Sequence, residues 1–445
     1  MNDKGGGAVM KKNKLTAGAL VCVCALLMSC PGGAKNNDDF FSIVNVTAKT
    51  LQAPEYGEDD PAIKTAARGA NDFAFRLSAA LAKNAGDENF VCSPYSVWMP
   101  LAALVNAAGA EHKAALLTAL GAAGISQNDI NTAASRMLYD LTKLREKEYG
   151  EKYYYNPLKI ANAVFVGNKV TLRREFAQAF MDFYRGSSIN VDFSSRDAVD
   201  AVNRWAGKNT GGLITDLVQE FDPSTVAAIA NAIYFSDRWA WEFDRKETKE
   251  GVFHAPAGDT TARYMLREGK DQFYYQDEKV QALPLYFKHG GGLYIVLPQD
   301  GSARALLSSM TDEYFNEIQR NSSLAEGKLL LPRFSLQNDI NGLKEALQLL
   351  GVPLFDAEAA PLTGGLIEED IPVWLSVAIQ KAVIQVDEKG TTAAAVTVMT
   401  GATSAGPQPN VPFEMICDRP FVFILYEYTH DGGSQILFTG MVNQP

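Results

Sequence analysis

The stretch from Asp387 to Gly406, D-E-K-G-T-T-A-A-A-V-T-V-M-T-G-A-T-S-A-G, restricts the possible folds more than any other part of this chain. Asp387, Glu388 and Lys389 open it, and from Gly390 to Gly406 there is no charge, aromatic ring or proline. Thr391, Thr392, Val396, Thr397, Val398 and Thr400 favour extended backbone, while Gly390 and Gly401 leave the chain conformational freedom. Pro407, Pro409 and Pro412 follow, a turn-rich composition that suits an exposed loop. A β-prone, uncharged segment left on a surface invites aggregation. Its presence makes physical sense if the segment is built to become a strand.

With 445 residues, 47% of them hydrophobic, the chain can bury one large core or two smaller ones. Its net charge of −11 argues against nucleic acid as a partner. Helical patterns come first: Phe73, Leu77 and Leu81 stand four apart, Ser96 to Ala108 is strongly apolar with Gly109 as a stop, and Val170–Tyr184 and Arg196–Asn209 are amphipathic. Strand-like runs dominate later, at Ser224–Phe235, Leu293–Leu297, Gly327–Phe334, Lys381–Asp387, Phe421–Tyr426 and Ile436–Val442. Without repeats or βαβ alternation, this order predicts an α+β fold in one large domain from residue 70 to 445.

The N-terminus reads as a targeting segment over residues 1–30. Lys11, Lys12 and Lys14 precede an apolar stretch, Leu15–Met28, that is short for a bilayer span. Leu27-Met28-Ser29-Cys30 resembles a bacterial lipobox, so Cys30 is expected to carry lipid on an exported protein at the cell envelope or surface, with ordinary secretion after cleavage elsewhere as the alternative. Residues 31–69 are expected to form a tether. Of the five cysteines, Cys22 and Cys24 lie inside the leader, and Cys92 and Cys417 sit in apolar surroundings as expected buried free thiols.

Catalytic and cofactor motifs are missing. The sequence contains no G-x-S-x-G elbow, phosphate loop or H-E-x-x-H. The 4 histidines show no metal-ligand spacing, and Gly290-Gly291-Gly292 fits a hairpin better than a nucleotide loop. Neither an enzyme nor a cofactor or metal site is expected.

Five separated motifs, in order, resemble the serpin family over about Ala70 to Pro445. They are Asn89-Phe90-Val91-Cys92-Ser93-Pro94-Tyr95-Ser96; Asn231-Ala232-Ile233-Tyr234-Phe235 with Trp239 and Phe243; Leu331-Pro332-Arg333-Phe334; Val386-Asp387-Glu388-Lys389-Gly390-Thr391-Thr392-Ala393-Ala394-Ala395; and Asp418-Arg419-Pro420-Phe421 with Phe438-Thr439-Gly440. The resemblance implies a fold of three β-sheets with about nine helices and an exposed reactive loop near residues 388–410. It also implies inhibition by suicide. A target protease cleaves the loop and is acylated, the freed loop enters the main sheet as a new strand, and the dragged protease is trapped. Serpin loop insertion is an established instance of β-strand addition. The expected partner is a protease, held by a monomer.

Under the resemblance the hinge is Glu388, Gly390, Thr391, Thr392, Ala393, Ala394 and Ala395. Glu388 would pair with Arg333 beside Trp239 at the breach, where insertion begins. Gln380 stands where the family usually has histidine, with Ser93, Ser96 and Asn231 as its expected neighbours in the central shutter. Counting from Glu388 places the reactive bond at Ser404-Ala405, with Thr403 as the near alternative, whereas counting back from Pro420 lands near Pro409 in a loop longer than usual. The hinge-side count is preferred because it sets the inserted length. Between Gly390 and Asp418 there is no Lys or Arg, which disfavours a trypsin-like target and suits elastase-, subtilisin- or papain-like pockets. The inserted face would be small apart from Met399, and at roughly 1 kcal/mol per ladder bond about a dozen bonds make insertion strongly downhill. A non-inhibitory member of the same fold, whose loop is merely cut, is the alternative.

Overall fold

The computed structural model describes residues 18–27, 60–142, 158–212, 214–340, 342–390, 412–429 and 433–445, the first of these as backbone only. The leading strand is β1 (Gly18–Leu27). Helix α1 (Pro61–Ala85) begins well before Ala70, inside the expected tether. Asp60 caps it by accepting from the Ala62 amide at 2.8 Å, and Pro61 tolerates the first turn because no amide partner is needed there. Its Phe73, Leu77 and Leu81 are all buried.

Strand β2 (Phe90–Cys92) leads into α2 (Pro94–Leu104), a wholly buried helix. Gly109, expected to stop that helix, instead caps the start of α3 (Ala110–Ala119). Helix α4 (Gln127–Thr142), β3 (Leu158–Gly167), α5 (Arg174–Tyr184), β4 (Gly186–Val191), α6 (Arg196–Asn209) and β5 (Thr225–Phe235) complete the first half. The second half runs β6 (Lys249–Ala255), β7 (Gly258–Gln276), β8 (Val280–Tyr286), β9 (Gly292–Pro298), α7 (Ala303–Ser309), α8 (Asp312–Asn321), β10 (Ser323–Pro332), β11 (Phe334–Asp339) and α9 (Leu343–Leu349). It closes with β12 (Val373–Val386), β13 (Phe413–Ile416), β14 (Phe421–Tyr428) and β15 (Ser434–Val442).

Three sheets result. The first has the order β11-β12-β1-β5-β3-β4. The second runs from the end of β7 through β8, β9, β14 and β15 to β2, and the third joins β6, the body of β7, β10 and β13. Strand β5 shows why the first sheet has helices on one side and the main core on the other. Its Ala227, Ile229, Ile233 and Phe235 belong to the main core, while the alternate Ala228, Ala230 and Ala232 pack with Val199, Val202 and Trp205 of α6. Alanine on that face lets the helix approach closely, and burial on both faces explains why the strand reads as continuously apolar.

Strand β1 lies parallel to both β12 and β5, with Cys24 level with Gln380 on one side and Asn231 on the other. The expected leader segment therefore pairs in the first sheet. Its free edges satisfy both flanking ladders, a use open to any charge-free extended segment. Because β5 and β12 point the same way, Phe235 and Val386 end at one pole, and the candidate site is assembled there.

Candidate functional site

At that pole β12 ends in a tight turn. The Asp387 amide donates to the Gly390 carbonyl and the Gly390 amide to the Asp387 carbonyl, both at 3.3 Å. Gly390 holds φ at 126°, and a Cβ there would lie 2.5 Å from the Asp237 carbonyl oxygen and 2.6 Å from the Arg238 Cα. Only glycine fits this approach without moving backbone.

The segment after β5 grips the turn. The Trp239 amide donates to the Lys389 carbonyl at 3.0 Å, the Phe243 amide to the Glu388 carbonyl at 2.9 Å, and the Trp239 indole Nε1 to the Asp387 carbonyl at 2.8 Å. Trp239 is buried and stacks on Phe287, with ring centroids 4.9 Å apart.

Glu388, with 1% of its side chain exposed, receives the Arg333 guanidinium on Oε1 (Nε at 2.8 Å, with Nη2 as a second donor) and the Thr248 hydroxyl at 2.6 Å. Burial alone would raise its pKa, but hydrogen bonds from Arg333 and Thr248 outweigh burial and leave it below the ordinary carboxylate value. The stabilisation this gives is present above the unfolded-state pKa and is lost as pH falls through the lower folded one. Arg333→Ala is expected to destabilise the fold by roughly 2 kcal/mol, discounted because Arg333 is one-third exposed. It should also flatten the acid limb that starts near pH 4.5 in urea melts taken across pH.

Deeper in the sheet, the Gln380 amide Nε2 donates to the Ser93 carbonyl at 2.7 Å and to Ser96 Oγ at 3.1 Å, while its Oε1 accepts from the Ser93 amide at 3.2 Å. Asn231 does not join them. Its Nδ2 donates to Asn162 Oδ1 at 2.7 Å, because β1 separates β5 from β12 at this level. Gln380 thus uses both donor and acceptor capacity. A protonated imidazole has no acceptor, so Gln380→His should lose stability below about pH 6.5 where the parent does not. Thermal melts at pH 5 and pH 8 would check this, and superimposable pH profiles would contradict it.

The hinge residues Thr391, Thr392, Ala393, Ala394 and Ala395, the expected bond at Ser404-Ala405 with Thr403, and Cys30 lie outside the described residues. Cys92 and Cys417 are buried and free. Burial pushes the Cys92 thiol up to about 11, so it is inert near neutrality.

Several partners at the site have no local signature in the sequence. Asp237, 1% exposed, accepts from the His289 ring and backbone, and Lys381 reaches Asp216 at 2.9 Å. Each contact joins residues far apart in the chain. The one visible hint is the acidic residue set between an apolar strand and Trp239.

Three such sheets, a paired turn at the end of β12 and a buried Glu388 held by Arg333 define a mixed α+β fold built around one large sheet. The family model described as Serpin (serine protease inhibitor) matches residues 68–445, and the chain belongs to the serpin family. It is similar to the plasma serine protease inhibitor of Bos taurus, 28% identical over 410 residues covering 90% of this chain and 96% of that one. It is also similar to alpha-1-antitrypsin of Meriones unguiculatus, 30% identical over 379 residues covering 84% and 89%. The crystal structure of a thermophilic serpin, tengpin, in the native state superposes with a TM-score of 0.75 at 23% identity, covering 91% of this chain and 100% of that chain. That likeness concerns the fold. Among the described residues no helix is long and apolar enough to cross a membrane.

Proposed function

We propose that this serpin is a protease inhibitor that acts as a suicide substrate rather than an enzyme. The reading rests above all on the hinge. β12 ends in a turn closed by Gly390, and the sequence beyond it offers Thr391 and three alanines, then nothing charged up to Gly406. A strand of that composition can enter a sheet interior without burying a charge. The relatives named for protease inhibition support the same reading.

The bait is Ser404-Ala405, or Thr403-Ser404, for an elastase-, subtilisin- or papain-like protease. Removal of residues 1–29 would leave lipidated Cys30 tethering a monomeric inhibitor to a bacterial envelope. Processing also matters for the sheet, since β1 fills the position between β12 and β5 that a cut loop would take.

The test is to mix the processed chain, starting at Cys30, with an elastase-like protease. An SDS-stable complex, with the cut located by mass spectrometry at Ser404-Ala405, supports the proposal. Cleavage at that bond with no complex would favour a non-inhibitory serpin. The chain that retains residues 18–27 serves as a control and should be cut without trapping.

A further inference from the structure

Asp237 is an acidic residue carried into a nearly sealed position just beyond β5, and the breach pair Glu388–Arg333 makes no use of it. Its Oδ1 accepts from the His289 ring Nδ1 at 2.7 Å and from the Arg238 amide at 2.7 Å, and its Oδ2 accepts from the His289 amide at 3.0 Å. His289 sits in the turn between β8 and β9, whose Gly290 and Gly291 both hold positive φ. Main-chain bonds extend the contact. The Lys288 amide donates to the Arg238 carbonyl and the Ala240 amide to the Tyr286 carbonyl, both at 2.8 Å, and Trp239 bridges to Phe287.

The segment from Asp237 to Phe243 is therefore held on two sides. One side is the β8–β9 turn. The other is the hinge turn, which it meets through the Arg238–Gly390 bridge and the bonds from Trp239 and Phe243. Asp237 belongs to both contacts: its carboxylate fixes the β8–β9 turn, and its carbonyl oxygen forms the wall against which Gly390 packs. Asp237 thus links the β8–β9 turn to one wall of the hinge turn.

We propose that Asp237 and His289 form a clasp that positions the hinge turn and keeps it from entering the sheet until the loop is cut. This rests on the loop-insertion reading above. Releasing the His289 ring leaves the Arg238–Trp239 backbone tied to this side by the main-chain bonds alone and so loosens its grip on Lys389 and Gly390. The uncut loop then inserts more readily by itself.

The experiment follows the uncut, processed protein held below its melting temperature, measuring the rate at which it loses protease-trapping capacity while gaining heat resistance. His289→Ala should convert about tenfold faster, the effect of one hydrogen bond to a charged acceptor on a barrier. His289→Asn, whose amide can still donate to Asp237, should stay within about twofold of the parent. The loop-cleaved forms of all three should melt together, because the clasp acts only before insertion. Conversion of His289→Ala at the parent rate would overturn the clasp, as would an equal loss of stability in intact and cleaved forms, which marks a merely structural contact. If the parent gains no heat resistance when its loop is cut, the insertion reading fails and the clasp falls with it.

Discussion

Replacing Thr391 by arginine should convert the protein from a trap into a substrate: the protease is released active, the loop is cut, and no SDS-stable complex remains. Thr391 follows the hinge glycine directly and, in the proposed mechanism, is among the first residues to enter the sheet. On the family register its side chain would face inward once inserted. Burying an unpaired guanidinium there costs on the order of 4 kcal/mol after relaxation. Placed on the insertion barrier, that slows entry about a thousandfold. Trapping is a race between insertion and hydrolysis of the acyl-enzyme, so a delay of this size hands the outcome to hydrolysis. The measurement is the molar ratio of inhibitor to protease needed for full inhibition. Full trapping at the parent ratio would mean that this position does not enter the sheet.

Gly390→Ala should act on the intact form. With φ at 126° and three backbone atoms of Asp237, Arg238 and Trp239 within 2.7 Å of the new Cβ, the turn cannot accept a methyl group without opening. Strain at such a φ costs about 1–3 kcal/mol before the clash is counted. We expect a lower urea midpoint for the uncut protein and loss of the Trp239 amide bond to Lys389, read as faster hydrogen exchange at Trp239. The loop-cleaved form should be affected far less, because insertion unwinds the turn. Equal losses in both forms would show that the turn persists after cleavage.

Much of the scaffold can be read from local pattern. Arg196–Asn209 forms α6 over the range its periodicity predicts, and the apolar run at Ser224–Phe235 becomes β5. Other boundaries depend on contacts that a linear pattern does not carry. Gly327–Phe334 reads as one strand but is two. Pro332 lacks an amide and ends β10 in the third sheet, and Phe334 begins β11 in the first. The first half of β12, Val373–Ile379, escapes notice because Ser376 and the exposed Val377 break the alternation. At the site, Arg333 donates to Glu388, Trp239 donates to the adjoining Asp387 and Lys389 carbonyls, and Gln380 bonds Ser93 and Ser96, contacts between segments far apart in the chain. Asn231 pairs with Asn162 because a strand lies between it and Gln380, a fact of tertiary pairing that no motif announces. The Asp237–His289 clasp and the Lys381–Asp216 contact are likewise products of the fold, joining segments that share no pattern.

The central claim is that Gly390–Gly406 is a strand held in reserve, and the heat stability of the processed protein before and after a cut in its loop tests it most directly. A dozen new ladder bonds at roughly 1 kcal/mol each would add as much as an ordinary domain's whole stability. The account predicts that the melting temperature rises by tens of degrees once the loop is cut. An unchanged or lowered melting temperature after complete cleavage would contradict it.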